Sequence, residues 1–420
     1  MEVHHHPNVH HSKKNYHDCS HIKYISWMQA LTKNRIYSID LLRGLVMIIM
    51  ALDHTRDFFH FDSFLHDPLD VNTTTIYLYF TRWITHFCAP VFVFLAGTSV
   101  YLQSLRKSPK QLSIFLFNRG LWLIFIELFV IGFAWTFDFT YRVFVMQVIW
   151  AIGISMVLMG LIIRLPFKAI LILGLLIVFG HNIFDFVEST HHGFLWDLLR
   201  NGNFATYEII RGHQFVIIYP FIPWLGLMML GYCIGKIYEP SFSISERKKI
   251  LIYTGGGLIL FFVVLRYLNV YGNPFQWTNQ STALTTFLSF MNVHKYPPSL
   301  LYMCITIGPG LLFLSFFESS NNRLTRAISV YGRVPFFYYV LHFYLIHISC
   351  MILFMSRGHA FTEATPPVFG IPFRFLISGE GYSLKIVYLI WISIVIVLYP
   401  LCKWFSELKK RKNYWWLSYL

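Results

Sequence analysis

The sequence predicts an all-α, polytopic membrane protein of about ten transmembrane helices, on three observations. Of its 420 residues 56% are hydrophobic and only 13% charged, a balance too apolar for a soluble globule. The apolar residues fall in long blocks, each able to cross about 30 Å of hydrocarbon, rather than at amphipathic spacing. Lys and Arg are spread unevenly between alternate loops, as membrane topology demands.

The blocks lie near 39–59, 80–102, 113–133, 142–163, 167–186, 213–235, 250–268, 298–317, 330–354 and 383–404. An even number of spans leaves both termini on one side. The tails and the loops on that side hold 23 Lys and Arg residues, the opposite loops and their flanks 10. Both termini are therefore expected in the cytoplasm. The formal charge of +14 reads as this topology signal plus attraction to anionic membrane lipid, and no nucleic-acid partner is called for.

The first 30 residues are polar, without the apolar core of a cleavable signal peptide, so the first span is expected to act as the targeting signal. Residues 1–34 read as a His-rich, disordered cytoplasmic tail, with His4, His5, His6, His10, His11, His17 and His21 but no preorganised ligand geometry. Residues 35–420 read as a single transmembrane domain. The six cysteines, Cys19, Cys88, Cys233, Cys304, Cys350 and Cys402, stand singly with no CxxC spacing. Neither a disulfide framework nor a metal site is expected. The external segments 60–79, 187–212, 269–297 and 355–382 are long and rich in Gly, Pro and aromatic residues, and a substrate is expected to be gripped there.

Ionisable residues inside spans are costly and mark function. Arg43 and His54 stand eleven residues apart in the first span. At about 1.5 Å of rise per residue they are separated by roughly 16 Å, so each lies toward a different membrane face. Asp53 and Asp57 flank His54, and Asp57 at i+3 shares its helix face. A carboxylate beside an imidazole holds its tautomer and raises its basicity, as a general base requires. His86, at the outer start of the second span, reaches a similar depth and is expected to share the His54 pocket.

Other polar positions converge on the same half. Lys295, Tyr296 and Ser299 lie at the entry of the eighth span, and His342 and His347 lie in the ninth. Tyr219 and Trp224 belong to a stretch with two prolines that reads as a broken helix lining a cavity. Glu127 in the third span, two turns from Arg119, reads as an internal ion pair of architectural purpose.

The strings Arg35-IYSIDLLRGLVMIIMALDHTRDFF-Phe59, Thr85-HFCAPVFVFLAGTS-Ser99, Lys295-YPPSLLY-Tyr302 and Tyr331-GRVPFFYYVLHFYLIH-His347 occur in that order. They resemble the bacterial branch of the heparan-α-glucosaminide N-acetyltransferase-like membrane family, over nearly the whole chain from residue 35. The Arg43-X10-His54 spacing also resembles the signature of the wider transmembrane acyltransferases that O-acetylate sugars. The resemblance implies an acyltransferase of the membrane, the inner one in a bacterium. It would take an acetyl group from cytoplasmic acetyl-CoA and deliver it to an amine or hydroxyl of a glycan or glycolipid on the far side.

On that reading His54 is the base, aided by Asp53, Asp57 and His86, and Arg43, Arg119 and Arg333 clamp the phosphates of the donor. Lys295, Tyr296, Ser299, His342 and His347 would line the acceptor site, and a homodimer is left open. Eukaryotic lysosomal relatives place the catalytic His in the loop after the first span, where this chain offers His60 or His66. The base thus stays open between three histidines. A transporter or flippase of a glycolipid-like solute would also use intramembrane charges and broken helices. A b-type haem protein would instead pair His54 or His86 with His342 or His347.

Overall fold

The computed structural model describes residues 36–186, 193–364, 373–377, 379–412 and 414–418. The His-rich tail lies outside the described residues. Helix α1 (Tyr37–Phe59) is followed by α2 (Ile76–Ser104), whose first turn is capped by the Thr75 hydroxyl accepting from Leu78 N. A tight 3₁₀ turn at Thr85–Phe87 interrupts α2. Helix α3 (Pro109–Thr136) starts from a reciprocal Ser108–Gln111 capping box and carries a π-turn at Ile126–Ile131.

Then come strand β1 (Val143–Met146), helices α4 (Val148–Ile162) and α5 (Phe167–Phe186), strands β2 (Ala205–Ile210) and β3 (His213–Ile217), and helices α6 (Phe221–Tyr238) and α7 (Ile244–Leu268). The amphipathic α8 (Ala283–Met291) precedes α9 (Leu300–Phe316), α10 (Arg323–Arg333), α11 (Pro335–Ser356) and α12 (Leu384–Arg411).

Seven of these helices, α2, α3, α5, α6, α7, α11 and α12, are long and apolar enough to cross a membrane. The predicted spans at 39–59, 142–163 and 298–317 correspond to α1, which carries five charged side chains, and to the shorter apolar α4 and α9.

The all-α expectation needs correction. Two predicted spans, 142–163 and 213–235, begin as strands of a three-stranded sheet, in which β1 runs parallel and β2 antiparallel to the central β3. Val143-Phe-Val-Met146 and Phe215-Val-Ile217 are β-branched and aromatic runs, separated from the helices that follow by Gln147 and by Pro220. Short apolar runs cannot be told from a buried helix turn by periodicity. The expected break in the Tyr219–Tyr232 stretch is absent as well. Pro220 sits just before α6 and Pro223 in its first turn, where a missing N–H would be an orphan anyway, so the helix runs on unbroken. The break falls instead at Val334 (φ −132°, ψ 49°), between α10 and α11, because the residue before Pro335 disfavours helical backbone.

Glycine pairs let backbones touch where the site is built. A β-carbon on Gly44 would stand 2.1 Å from the Ile328 carbonyl oxygen, and one on Gly332 1.8 Å from that of Asp40. Helices α1 and α10 thereby cross in backbone contact, the close approach that small residues permit between membrane helices. At the crossing of α2 and α6, Gly97 and Gly231 meet the Met228 and Phe94 carbonyl oxygens in the same way, at 1.9 and 2.0 Å.

Candidate active site

Helix α1 forms the spine of the site. Its residues 43, 47, 50 and 54 recur at helical spacing and line two adjoining cavities. Across them, α2 contributes Arg82, Thr85, Ala89, Phe92, Ala96, Ser99 and Gln103 at the same period. One, of about 620 Å³, holds Arg43, Arg106, Lys107, Arg119, Arg333 and Lys409. The other, of about 420 Å³, holds His54, His66, Arg82, Trp135, Lys295 and Tyr296. Met50, Phe92, Val148 and Tyr339 line both and form the wall they share.

At the cationic end, Arg43 is held by its neighbours. Its Nη1 donates to Asp40 Oδ1 at 3.4 Å and to the Gly332 carbonyl at 3.3 Å, and its Nη2 to Ser99 Oγ at 3.2 Å. The backbone contact of α1 with α10 therefore brings Arg43 to Arg333. Arg119 comes from the face of α3 that looks onto the same cavity.

At the other end, buried charges neutralise one another. Arg82 Nη1 donates to both Asp53 oxygens, at 2.8 and 2.6 Å. Arg56 Nη2 lies 3.1 Å from Asp53 Oδ1 and also donates to Asp57, while Lys295 Nζ stands 4.0 Å from Asp53 Oδ2. Asp53 and Asp57 are thus engaged by arginines. Neither orients His54, contrary to the sequence reading. A buried carboxylate is drawn to the strongest donors within reach, and the guanidinium fork outcompetes a neutral imidazole. The His54 ring packs instead against Phe343, Trp135 and His342, at centroid distances of 4.2, 5.3 and 5.4 Å. Its Nδ1 is buried with no hydrogen-bond partner.

The carboxylate-held imidazole of this cavity is His66. Its Nδ1 lies 2.7 Å from Asp62 Oδ1, which fixes the ring and leaves Nε2 for other work. His60 has a different place. It pairs with Tyr382 as an isolated bridge, its Nδ1 accepts from Asp62 N at 3.3 Å, and it lines neither cavity.

The remaining sequence-selected residues divide. Lys295 and Tyr296 line the His54 cavity and a third one beside it. Of the three cavities His86 lines only that third one, lying off the Arg82–Thr85–Ala89–Phe92 stripe of α2. Ser299 caps α9, its hydroxyl accepting from Tyr302 N at 3.1 Å. His347 spends both nitrogens on the Ala134 and Arg374 carbonyls, at 2.7 and 3.0 Å, and His342 is buried beside His54 without reaching either cavity. Glu127 does not pair with Arg119 in the expected way. Its Oε1 accepts from Gln147 N at 3.2 Å, tying the π-turn of α3 to the start of α4.

Sequence reasoning passed over Asp62 and Arg82, and it counted Arg106, Lys107 and Lys409 only as topology charges. The i, i+4 spacing of Asp62 and His66 was a readable signal. Arg82 carried none, since its carboxylate lies 29 positions away. Among the described residues no group of three or more His, Cys, Asp or Glu is arranged to hold a metal ion.

These features define an integral membrane protein in which a cationic cavity adjoins a histidine-bearing one. The catalytic-domain model of heparan-alpha-glucosaminide N-acetyltransferase matches residues 35–265, more than half of the chain, and the chain belongs to that family. Membership makes it a membrane transferase of the acetyltransferase class. The Lys295–Tyr302 and Tyr331–His347 segments lie beyond the matched range. No curated protein gives a significant match.

Proposed function

We propose that the protein moves an acetyl group from acetyl-CoA on the cytoplasmic side to an amine or hydroxyl of a glycan on the opposite side, with the cationic cavity facing the cytoplasm. The observation that carries this reading is the pair of adjoining cavities, one lined by six cations and the other by histidines, with Met50, Phe92, Val148 and Tyr339 common to both. Guanidinium and ammonium groups suit the phosphates of the donor. Arg43, Arg119 and Arg333 are the residues we assign to that end. The extended thiol arm of the donor would follow the α1 stripe past the shared wall, toward His54.

The chemistry needs one proton moved. The acceptor nitrogen or oxygen attacks the thioester carbonyl carbon, the C–S bond breaks, and the proton lost by the acceptor ends on the departing thiolate. His66, held by Asp62, is the better base for the acceptor because its tautomer is set. His54, nearer the shared wall, is assigned to the thioester, donating a hydrogen bond to the carbonyl oxygen or the proton to sulfur. Asp53, Arg82, Arg56 and Lys295 hold the charge pattern around it. Excluding bulk water where the two cavities adjoin protects the thioester from hydrolysis.

Transfer and binding are separable in the purified full chain, using labelled acetyl-CoA and a glucosamine-terminated acceptor. His66→Ala is expected to keep acetyl-CoA binding and lose transfer by about a hundredfold, the usual scale for a general base, with Asp62→Asn losing a part of it. Full transfer in His66→Ala, with the loss appearing in His54→Ala, would move the base to His54. Labelled acetyl-enzyme trapped by acid quench would replace direct attack by an acetyl-imidazole route.

A further inference from the structure

A third cavity, of about 380 Å³, adjoins the His54 cavity and shares Asp67, Arg82, Lys295 and Tyr296 with it. It lies on the histidine side and falls in the size range of small-molecule sites. Its remaining wall is largely made of uncharged polar side chains, Asn203, Asn273, Gln276, Ser289 and Asn292, with the exposed Phe275 ring at the rim. His86 also lines it. That residue is 1% exposed, and neither ring nitrogen has a hydrogen-bond partner. Buried polar atoms in native proteins are nearly always satisfied, so two orphaned nitrogens on a residue of this cavity's wall point to a hydrogen-bonding occupant.

The charges narrow its chemistry. Arg82 is committed to Asp53, and Arg266 donates to the Phe275, Ser289, Phe290 and Asn292 carbonyls. Lys295 stands beside Asp53 and over the Tyr296 ring, and Asp67 and Asp70 add two carboxylates to the wall. No surplus of either sign is left for an ionic ligand. Asn273, Gln276 and Asn292 each give an amide N–H to a backbone carbonyl, so the Gln276 carbonyl and the His86 imidazole are among the groups left to accept or donate. With an aromatic ring at the edge they suit a neutral polyhydroxylated ring, which offers hydroxyls of both roles and an apolar C–H face.

We propose that this cavity is a second saccharide subsite, taking an uncharged sugar ring joined to the ring that receives the acetyl group, with His86 and Gln276 bonding its hydroxyls. The proposal rests on the acetyltransferase reading and extends it, since the acceptor is then recognised over at least two rings. Lys295 and Tyr296, common to both cavities, would lie under the linkage.

The test measures equilibrium binding, without acyl donor, to the purified full chain. The probes are glucosamine, glucosamine joined to glucose, and glucosamine joined to a uronic acid. The glucose disaccharide is expected to bind about tenfold more tightly than the monosaccharide, and the uronic acid disaccharide to gain less. His86→Phe should erase the gain, and Gln276→Ala, an exposed position whose replacement leaves the core untouched, should reduce it. Equal affinity for one ring and two, a larger gain with the uronic acid, a gain kept in both variants, or no sugar binding at all would each overturn the subsite. Acetyl transfer is followed in parallel. Tight disaccharide binding with no acetylated product would overturn the transferase reading and leave the subsite standing.

Discussion

The two cavities on α1 use the same residue types to opposite ends. Around the cationic cavity six Arg and Lys side chains converge, with no carboxylate among the described lining residues. Around the histidine cavity Arg56, Arg82 and Lys295 are matched by Asp53, Asp57 and Asp67. A surplus of one sign concentrates an oppositely charged ligand, whereas a balanced buried cluster attracts none and organises the space instead. On the proposed function an arginine at one end is there to bind, whereas at the other Arg56 and Arg82 hold a carboxylate in place.

Removing a cation at each end should break the comparison or sharpen it. The largest effect is expected from Arg82→Ala, which removes the cation bonded to both Asp53 oxygens and leaves that buried carboxylate to Arg56 and Lys295 alone. Loss of one partner of such a pair costs about 3–5 kcal/mol, so thermal unfolding in detergent should shift strongly downward. Arg333→Ala, at the half-buried mouth of the other cavity, should move stability by less than about 1 kcal/mol. Equal destabilisation by the two substitutions would show that the cationic cavity is also a structural network.

Next in size is donor binding. Arg43→Ala should weaken CoA affinity by about tenfold or more, the scale of a lost charge-assisted contact, and added salt should erode the wild-type affinity. Arg82→Ala in protein that remains folded should leave that affinity nearly unchanged. An Arg43 variant that binds CoA normally would remove the phosphate assignment. The sidedness has its own check: a reporter active only outside the cytoplasm, fused after Leu420, should stay silent.

The smallest effect concerns the strap over the histidine cavity. Phe373 lies against Trp135 at 4.7 Å and roofs the space beside His54. Glu363 and Glu380, which flank Phe373 in sequence, are joined by His359 as a clasp: its Nδ1 and Nε2 each lie 3.0 Å from a carboxylate, of Glu363 and Glu380 respectively. The hydrogen bond to Glu380, then that to Glu363, holds the imidazolium above its ordinary value of 6.5. A raised value means that the clasp is complete below about pH 6.5 and loosens as pH climbs through the raised value. Proteolysis within residues 357–382 should therefore quicken on the alkaline side. His359→Gln should flatten that pH profile, and an unchanged profile would remove His359 from the clasp.

What could be read from the chain alone followed helical spacing and composition. The membrane class comes from the apolar blocks, and the 43–47–50–54 stripe follows from 3.6 residues per turn, so Arg43 and His54 are tied to one helix before any fold is known. Asp62 and His66, four apart, belong to the same legible kind. Contacts across elements were not readable. The pairing of Asp53 with Arg82 depends on which faces of α1 and α2 meet, and Asp53 with its neighbour His54 looked equally plausible in one dimension.

The strands at 143–146 and 213–217 escaped notice because three or four consecutive apolar residues carry no decisive period. Their conformation comes from pairing with each other, some 70 positions apart. His86 lies not in the His54 pocket but on the wall of the neighbouring cavity, with Arg266 and Asn292 from distant parts of the chain. Local periodicity thus established the class of molecule and the spine of its two cavities. The packing of helices and strands determined which charges cancel, which gather and which histidine is held by a carboxylate, because those are properties of faces brought together from distant parts of the chain.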